Sequence, residues 1–197
     1  MELVLATRNR KKIDEIVRIT HNLGVRVLTL DDFPGCPEVE EDGTTFEENA
    51  TKKAVTVAQF TGIASLADDS GLEVEALNGA PGVLSARYAG EEADDRKNVE
   101  ALLREMQSLT NRKARFVCCM ALAYPGGAIR IFNGYAEGTI GTEPRGSNGF
   151  GYDPVFYPAG YTITFAEMSG REKDSLSHRG MALEKLSQHI NHMLKMK

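Results

Sequence analysis

Short apolar runs alternate with stretches of helical spacing through the first hundred residues, and that alternation restricts the chain to an α/β architecture. Residues 3–6 form an apolar run that reads as a buried strand, and polar Thr7, Arg8 and Asn9 follow it. Ile13, Ile16, Val17 and Leu23 then fall near helical spacing, and Gly24 is the stop signal. Residues 25–30 read as a second strand. Residues 31–43 read as a loop, with Pro34, Gly35 and Pro37 beside the acidic Glu38, Glu40, Glu41 and Asp42. A second helix is expected from about Thr44 to Gly62. Thr44 with Glu47, or Thr45 with Glu48, has the spacing of a capping box. Residues 63–67 are a third strand that runs straight into Asp68-Asp69-Ser70-Gly71.

The second half changes character. Asn78-Gly79-Ala80-Pro81-Gly82 is a turn cluster. A helix is expected over residues 98–109, with Val99, Leu102, Leu103 and Met106 on one side. Residues 114–124 and 128–135 are β-rich and meet across Pro125-Gly126-Gly127, which predicts a hairpin. Residues 138–153 are Gly-rich. A last helix is expected over about 179–193, because Leu183, Leu186, Ile190 and Met193 recur at spacings of 3, 4 and 3. The expectation is one domain, 1–197, with a mixed sheet and flanking helices.

Composition excludes several classes. The net charge is −5 with both signs interspersed, which disfavours non-specific duplex binding and so nucleic acid as a partner. No apolar run approaches the ~20 residues of a membrane span, and charge returns too early, at Arg8, for a signal peptide. Cys36, Cys118 and Cys119 are odd in number and lack zinc spacing, so they read as small core hydrophobes in a reducing compartment. A cytoplasmic enzyme or binding protein is expected.

Five segments carry candidate chemistry. Thr7-Arg8-Asn9-Arg10-Lys11-Lys12 lies in a strand-to-helix loop, where free backbone N–H groups and three cations attract anions. It lacks the glycines of a Walker A loop, and taken alone it reads first as a solvated basic helix start. Asp68 and Asp69 at the end of an apolar strand suit Mg²⁺, although Asp-Ser-Gly also favours a plain turn. The acidic loop gains meaning only if it lies beside them. Glycines flank Phe150 in Gly149-Phe150-Gly151-Tyr152-Asp153-Pro154, so that loop offers close backbone approach and a ring to stack on a base. Lys173 and Ser177-His178-Arg179 place cations just before or at a helix N-terminus, against the macrodipole. His21, His189 and His192 read as surface or packing residues on amphipathic helices.

Taken together these segments resemble the inosine/xanthosine triphosphate pyrophosphatase family, the Ham1-like pyrophosphatases of non-canonical purine nucleoside triphosphates. The carrying pieces are Thr7-x-Asn9-x-x-Lys12 and Glu41-x-Gly43-x-Thr45-Phe46-x-Glu48-Asn49-Ala50. They continue with Ala67-Asp68-Asp69-Ser70-Gly71-Leu72 and Gly79-x-Pro81-Gly82-x-x-Ser85-Ala86-Arg87. They end with Gly149-Phe150-Gly151-Tyr152-Asp153-Pro154 and Glu172-Lys173-x-x-x-Ser177-His178-Arg179. All six occur in order from residue 7 to residue 179.

The resemblance implies an elongated central mixed sheet, two lobes around an active-site cleft, and a homodimer. It implies Mg²⁺-dependent hydrolysis of ITP, XTP and their deoxy forms to monophosphate and pyrophosphate. By position, Thr7, Arg8, Asn9, Arg10, Lys11 and Lys12 would hold phosphates, and the family spacing selects Lys12 over Lys11 as the phosphate lysine. Arg8 stands where many relatives carry a small residue. Glu41 and Asp69 would serve the metal with help from Asp68. Asp69 would also accept the proton, and Ser70 would touch substrate. Phe150, Gly151, Tyr152, Asp153, Lys173, His178 and Arg179 would enclose base and sugar. Donors there would match the 6-oxo group of hypoxanthine or xanthine and would be left unpaired by the 6-amino group of adenine. A sensor that binds without turnover, or a related enzyme acting on modified pyrimidines, are the competing readings.

Overall fold

A computed structural model describes residues 1–21 and 23–195; Asn22 and the last two residues of the expected 1–197 domain lie outside the described residues. β1 (Glu2–Leu5) is buried along all but its first residue. It pairs in parallel with β2 (Arg26–Thr29), Leu3 opposite Val27, and with β3 (Ser65–Val74), Leu5 opposite Leu66. A parallel strand whose two faces are both covered has no solvated side, so its sequence is apolar without alternation. α1 (Arg10–Thr20) connects β1 to β2 and buries Ile13 and Ile16. α2 (Phe46–Thr61) lies between β2 and β3 in the chain.

The sheet order is β2-β1-β3-β4-β5-β6, where β4 is Lys113–Ala123, β5 is Ile129–Ile140 and β6 is Phe156–Pro158. β5 and β6 are antiparallel, so the sheet is mixed, as the sequence implied. The chain leaves β1 toward β2, while β3 lies on the other side of β1. The carboxyl end of β1 is therefore a topological switch point, where open α/β sheets bind their ligands.

Several boundaries differ from expectation. β3 does not end at Ala67 but continues to Val74, so Asp68 to Gly71 lie inside a strand and both carboxylates are buried. A strand can carry them there because cations and an amide reach them, as described below. β5 extends through Gly138 to Ile140; a Cβ on Gly138 would lie 2.3 Å from the Tyr157 carbonyl oxygen of β6, so only glycine admits this pairing. α1 ends at Thr20, before Leu23. α3 (Asp95–Glu105) starts earlier than expected because Asp94 caps it, accepting from the Lys97 N–H at 3.0 Å. α2 uses the Thr45–Glu48 box of the two available. A short α4 (Gly170–Leu176), capped by Ser169 and Glu172, precedes α5 (His178–Lys195).

Contacts divide the chain into two compact units. One comprises Met1–Asp69, Cys118–Gly134 and Arg179–Lys197; the other comprises Ser70–Val117 and Tyr135–His178. The first has a core of Leu3, Leu5, Ile16, Leu66, Met120, Leu122, Leu183, Leu186 and Ile190. The second packs Leu72, Val74, Leu102, Met106, Phe116, Phe156 and Phe165. Each such side chain, taken from water, stabilises the fold by about 1.5–3 kcal/mol. The three cysteines are free and buried, consistent with core hydrophobes. Among the described residues, no helix is long and apolar enough to cross a membrane.

Candidate active site

The loop after β1 is fixed by its own side chains. The Thr7 hydroxyl accepts the Asn9 N–H at 3.2 Å, and Asn9 caps α1 by accepting the Lys12 N–H at 3.2 Å. No acidic residue occupies the first turn, so the positive end of the helix dipole has no neighbouring carboxylate on the helix to cancel it. Arg8 and Lys11 are exposed, and Arg10 pairs at the surface with Asp31 at 2.5 Å. Lys12 instead turns inward, its Nζ 3.2 Å from Asp68 Oδ2. The structure thus separates the two lysines, and it is Lys12 that meets the acidic strand.

Asp68 and Asp69 point to different partners, as successive strand residues must. Asp68 is fully buried, and its Oδ2 accepts from Arg179 Nη2 at 3.0 Å. Arg179 is 1% exposed and also donates from Nη1 to buried Glu15 at 2.5 Å. Burial alone would raise the Asp68 carboxyl, but Lys12, Arg179 and Lys53 together hold it well below the usual carboxylate range. Asp69 accepts from Asn49 Nδ2 at 3.0 Å and lies 3.9 Å from Lys53 Nζ. Lys53 donates to Glu41 Oε1 at 2.5 Å and to the Asp68 carbonyl at 2.6 Å. Burial raises Asp69 and nearby Glu41 adds to this, against Lys53, so its carboxyl is pushed up to about 6.

Glu41 and Asp69 therefore both lie near one ammonium, which joins the acidic loop to β3. Two hard carboxylates suit Mg²⁺, which takes one or two carboxylates and completes its shell with water and phosphate oxygens. Among the described residues no cluster of three or more His, Cys, Asp or Glu side chains offers a closed metal cage. Glu41 and Asp69, both near Lys53, are the carboxylates here that could hold such an ion.

The second unit holds the aromatic loop. Gly149 has φ +71°, and a Cβ there would lie 2.0 Å from Asp153 Oδ2. That oxygen accepts the Phe150 N–H at 2.9 Å and Lys173 Nζ at 2.6 Å. Lys173, buried, also sits 4.9 Å from the centroid of the Phe150 ring, a cation–π arrangement that sets the ring's position. Tyr152 is buried and donates its hydroxyl to the Ser85 carbonyl at 2.8 Å, so it ties the loop down. His178 is buried with its ring stacked on Phe116 at 4.7 Å between centroids. Ser70 is half-buried at the start of this unit, and Gly151 takes a positive φ of 60° beside Phe150.

A family model described as the Ham1 family matches residues 3–189, nearly the whole chain. The chain belongs to the Ham1 family. It is 52% identical over 193 residues to a dITP/XTP pyrophosphatase of Syntrophobacter fumaroxidans, covering 98% of this chain and 83% of that one. It is 50% identical over 195 residues to a dITP/XTP pyrophosphatase of Desulforamulus reducens, covering 98% and 97%. Among solved structures, a HAM1 protein from Coxiella burnetii superposes with a TM-score of 0.91 at 43% identity, covering 98% of this chain and 99% of that one. The Ham1 protein of Staphylococcus aureus gives 0.89 at 39% identity, covering 98% and 100%.

In this Ham1 chain the structure gathers Lys12, Glu41, Asp68, Asp69 and Arg179 in the first unit, and Phe150, Asp153, Lys173 and His178 in the second. Three polar residues at the first cluster had no role assigned from sequence: Glu15, Asn49 and Lys53. A signal existed for two of them. The buried face of α2 runs Phe46, Asn49, Ala50, Lys53, Ala54 and Val57, so Asn49 and Lys53 interrupt an apolar stripe at its own spacing.

Proposed function

We propose that this chain is a nucleoside-triphosphate pyrophosphatase that hydrolyses dITP, ITP, XTP and dXTP to the monophosphate and pyrophosphate. The observation that carries the reading is the Glu41–Lys53–Asp69 cluster beside Lys12 at the start of α1. It is a set of hard oxygens and cations suited to a metal–triphosphate, in a chain about half identical to dITP/XTP pyrophosphatases along their length. The residues 1–197 act as one functional domain, since the family match spans both units. A nucleotide-pool substrate and three free thiols fit a cytoplasmic enzyme, and we infer a homodimer from the family resemblance.

The first unit takes the phosphates. Amides at the start of α1 and the ammoniums of Lys12 and Lys53 neutralise the triphosphate and the departing pyrophosphate. Glu41 and Asp69 would hold Mg²⁺, which would supply Lewis-acid polarisation of the phosphate and a more acidic water. Asp69 accepts the proton of water attacking the α-phosphorus. Asp68 anchors Lys12 and Arg179. As the family resemblance implies, Phe150 stacks on the purine.

A panel of nucleoside triphosphates, assayed for pyrophosphate with Mg²⁺ and with excess EDTA, tests this reading. Turnover of dITP and XTP well above ATP, abolished by EDTA and restored by Mg²⁺, is the expected result. Full activity in chelated buffer would reject the metal assignment, and a preference for modified pyrimidines would reject the base assignment.

Phe150→Ala is expected to raise the KM for dITP by roughly tenfold, since stacking contributes about 1–3 kcal/mol per base. Inhibition by inorganic triphosphate, which has no base, should change little. Equal losses for both ligands would show that the ring supports the Lys173–Asp153 loop instead.

A further inference from the structure

We propose that Asn49 is a positioning residue whose amide fixes the orientation of the Asp69 carboxylate and locks it to the acidic loop. Asn49 is 2% exposed, in the first turns of α2. Its Nδ2 donates to Asp69 Oδ2 at 3.0 Å, and its Oδ1 accepts the Gly43 N–H at 2.8 Å. A backbone N–H can only donate, so the amide has one orientation, and that orientation presents its N–H₂ to Asp69. The two oxygens of Asp69 are thereby made unequal: Oδ2 is held by a neutral donor, while Oδ1 faces Lys53 Nζ at 3.9 Å. One short side chain thus sets both the rotamer of the proposed base and the backbone two residues beyond Glu41.

The surroundings hold Asn49 in place. Glu48 accepts from the N–H groups of Thr44 at 2.7 Å and Thr45 at 3.1 Å, which pins the start of α2. Gly43 has an ordinary φ, so its lack of a side chain is a matter of space. A Cβ there would come within 2.6 Å of Asn49 Oδ1 and 2.9 Å of Glu48 Cβ. The glycine is required because the clamp occupies the space beside it.

This inference rests on the proposed pyrophosphatase reading, and its test has one arm that needs no turnover. In the full-length protein, Asn49→Asp keeps the shape and the acceptor for Gly43 but replaces the neutral donor to Asp69 with a second carboxyl 3.0 Å away. Asn49→Ala removes both arms, and Gly43→Ala crowds the Asn49 amide from the loop side while leaving its donor in the chain. Residues that orient a first layer of functional groups typically contribute 10–100-fold. The kcat for dITP is expected to fall about 10–100-fold in Asn49→Asp and Asn49→Ala, less in Gly43→Ala, with KM within about threefold. In metal-free urea denaturation, the midpoint shift caused by Asn49→Ala should shrink when Asp69 is already alanine, because the contact is already lost. A side chain that only packs α2 would lower the midpoint equally in both backgrounds and leave kcat unchanged, and either result overturns the proposal. Wild-type protein that hydrolyses no triphosphate would overturn the functional reading itself; turnover by wild type with unaltered kcat in Asn49→Asp or Asn49→Ala overturns this inference alone. If Asn49→Asp does not fold, Asn49→Ala and the denaturation cycle still decide it.

Discussion

Asp69→Asn is expected to reduce dITP turnover by at least about a hundredfold, the scale of a lost general base, while the metal-free protein keeps or gains stability. The substitution keeps the size of the side chain and removes its charge and its basic oxygen. The Asn49 amide can still donate to the new carbonyl, so the local packing has no reason to change. The stability half of the expectation follows from the sign of the shift. Burial, helped by Glu41, raises the folded carboxyl to about 6, above the value near 4 of an exposed aspartate. The folded state therefore binds this proton more tightly than the unfolded state, and wild-type stability falls as pH rises from about 4 through 6. Asp69→Asn lacks that loss. Its melting temperature relative to wild type should be higher at pH 7.5 than at pH 4, with metal removed in both. Saturating dITP and Mg²⁺ give the catalytic reading. A folded mutant with near-normal turnover would move the role to Glu41. A mutant that melts far below wild type would instead make Asp69 a structural residue of β3.

Much of the fold was legible because its strands have simple patterns. The unbroken apolar run at residues 3–6 forms β1, and the spacing of Leu183, Leu186 and Ile190 is that of α5. The capping choice between Thr44 and Thr45 could not be made from spacing, since both fit; the structure uses Thr45 as the cap while Thr44 also donates to Glu48. β3 runs on past its charged pair because the partners of that pair are distant in sequence. Asp68 stays inside the strand through Arg179, 111 residues away, and Lys12. Local pattern cannot reveal such a partner. The same blindness hid Glu15, which looks like an ordinary helix glutamate until Arg179 reaches it. Tyr152 donates to the Ser85 carbonyl and His178 is stacked on Phe116, contacts that no local pattern announces. Motif membership marks where residues matter without separating those that touch substrate from those that hold the loop.

Arg179→Met should produce the largest loss of stability of any single change at the site. Its guanidinium is 1% exposed and bridges two buried carboxylates, Glu15 at 2.5 Å and Asp68 at 3.0 Å. Removing one partner of a buried ion pair typically costs 3–5 kcal/mol, because the remaining charge is left without compensation. Here two charges are affected, although Lys12 still reaches Asp68 at 3.2 Å. A loss of about 3–5 kcal/mol is a large part of the 5–15 kcal/mol that holds a domain folded. Arg179→Lys should recover only part of it, since one ammonium cannot span two carboxylates as a planar fork does. Replacing the partner as well should help. Glu15→Met in the Arg179→Met background removes one stranded charge, so the double mutant should be more stable than Arg179→Met alone. Urea denaturation of the four proteins in metal-free buffer measures the cycle. The network also predicts a kinetic signature: with Arg179 gone, Lys12 becomes the main counter-charge of Asp68 and is drawn from the phosphate. The KM for dITP should therefore rise in whatever folded fraction Arg179→Lys yields. A loss below about 1 kcal/mol in Arg179→Met would show that the buried carboxylates are compensated from elsewhere and that Arg179 does not organise the cluster.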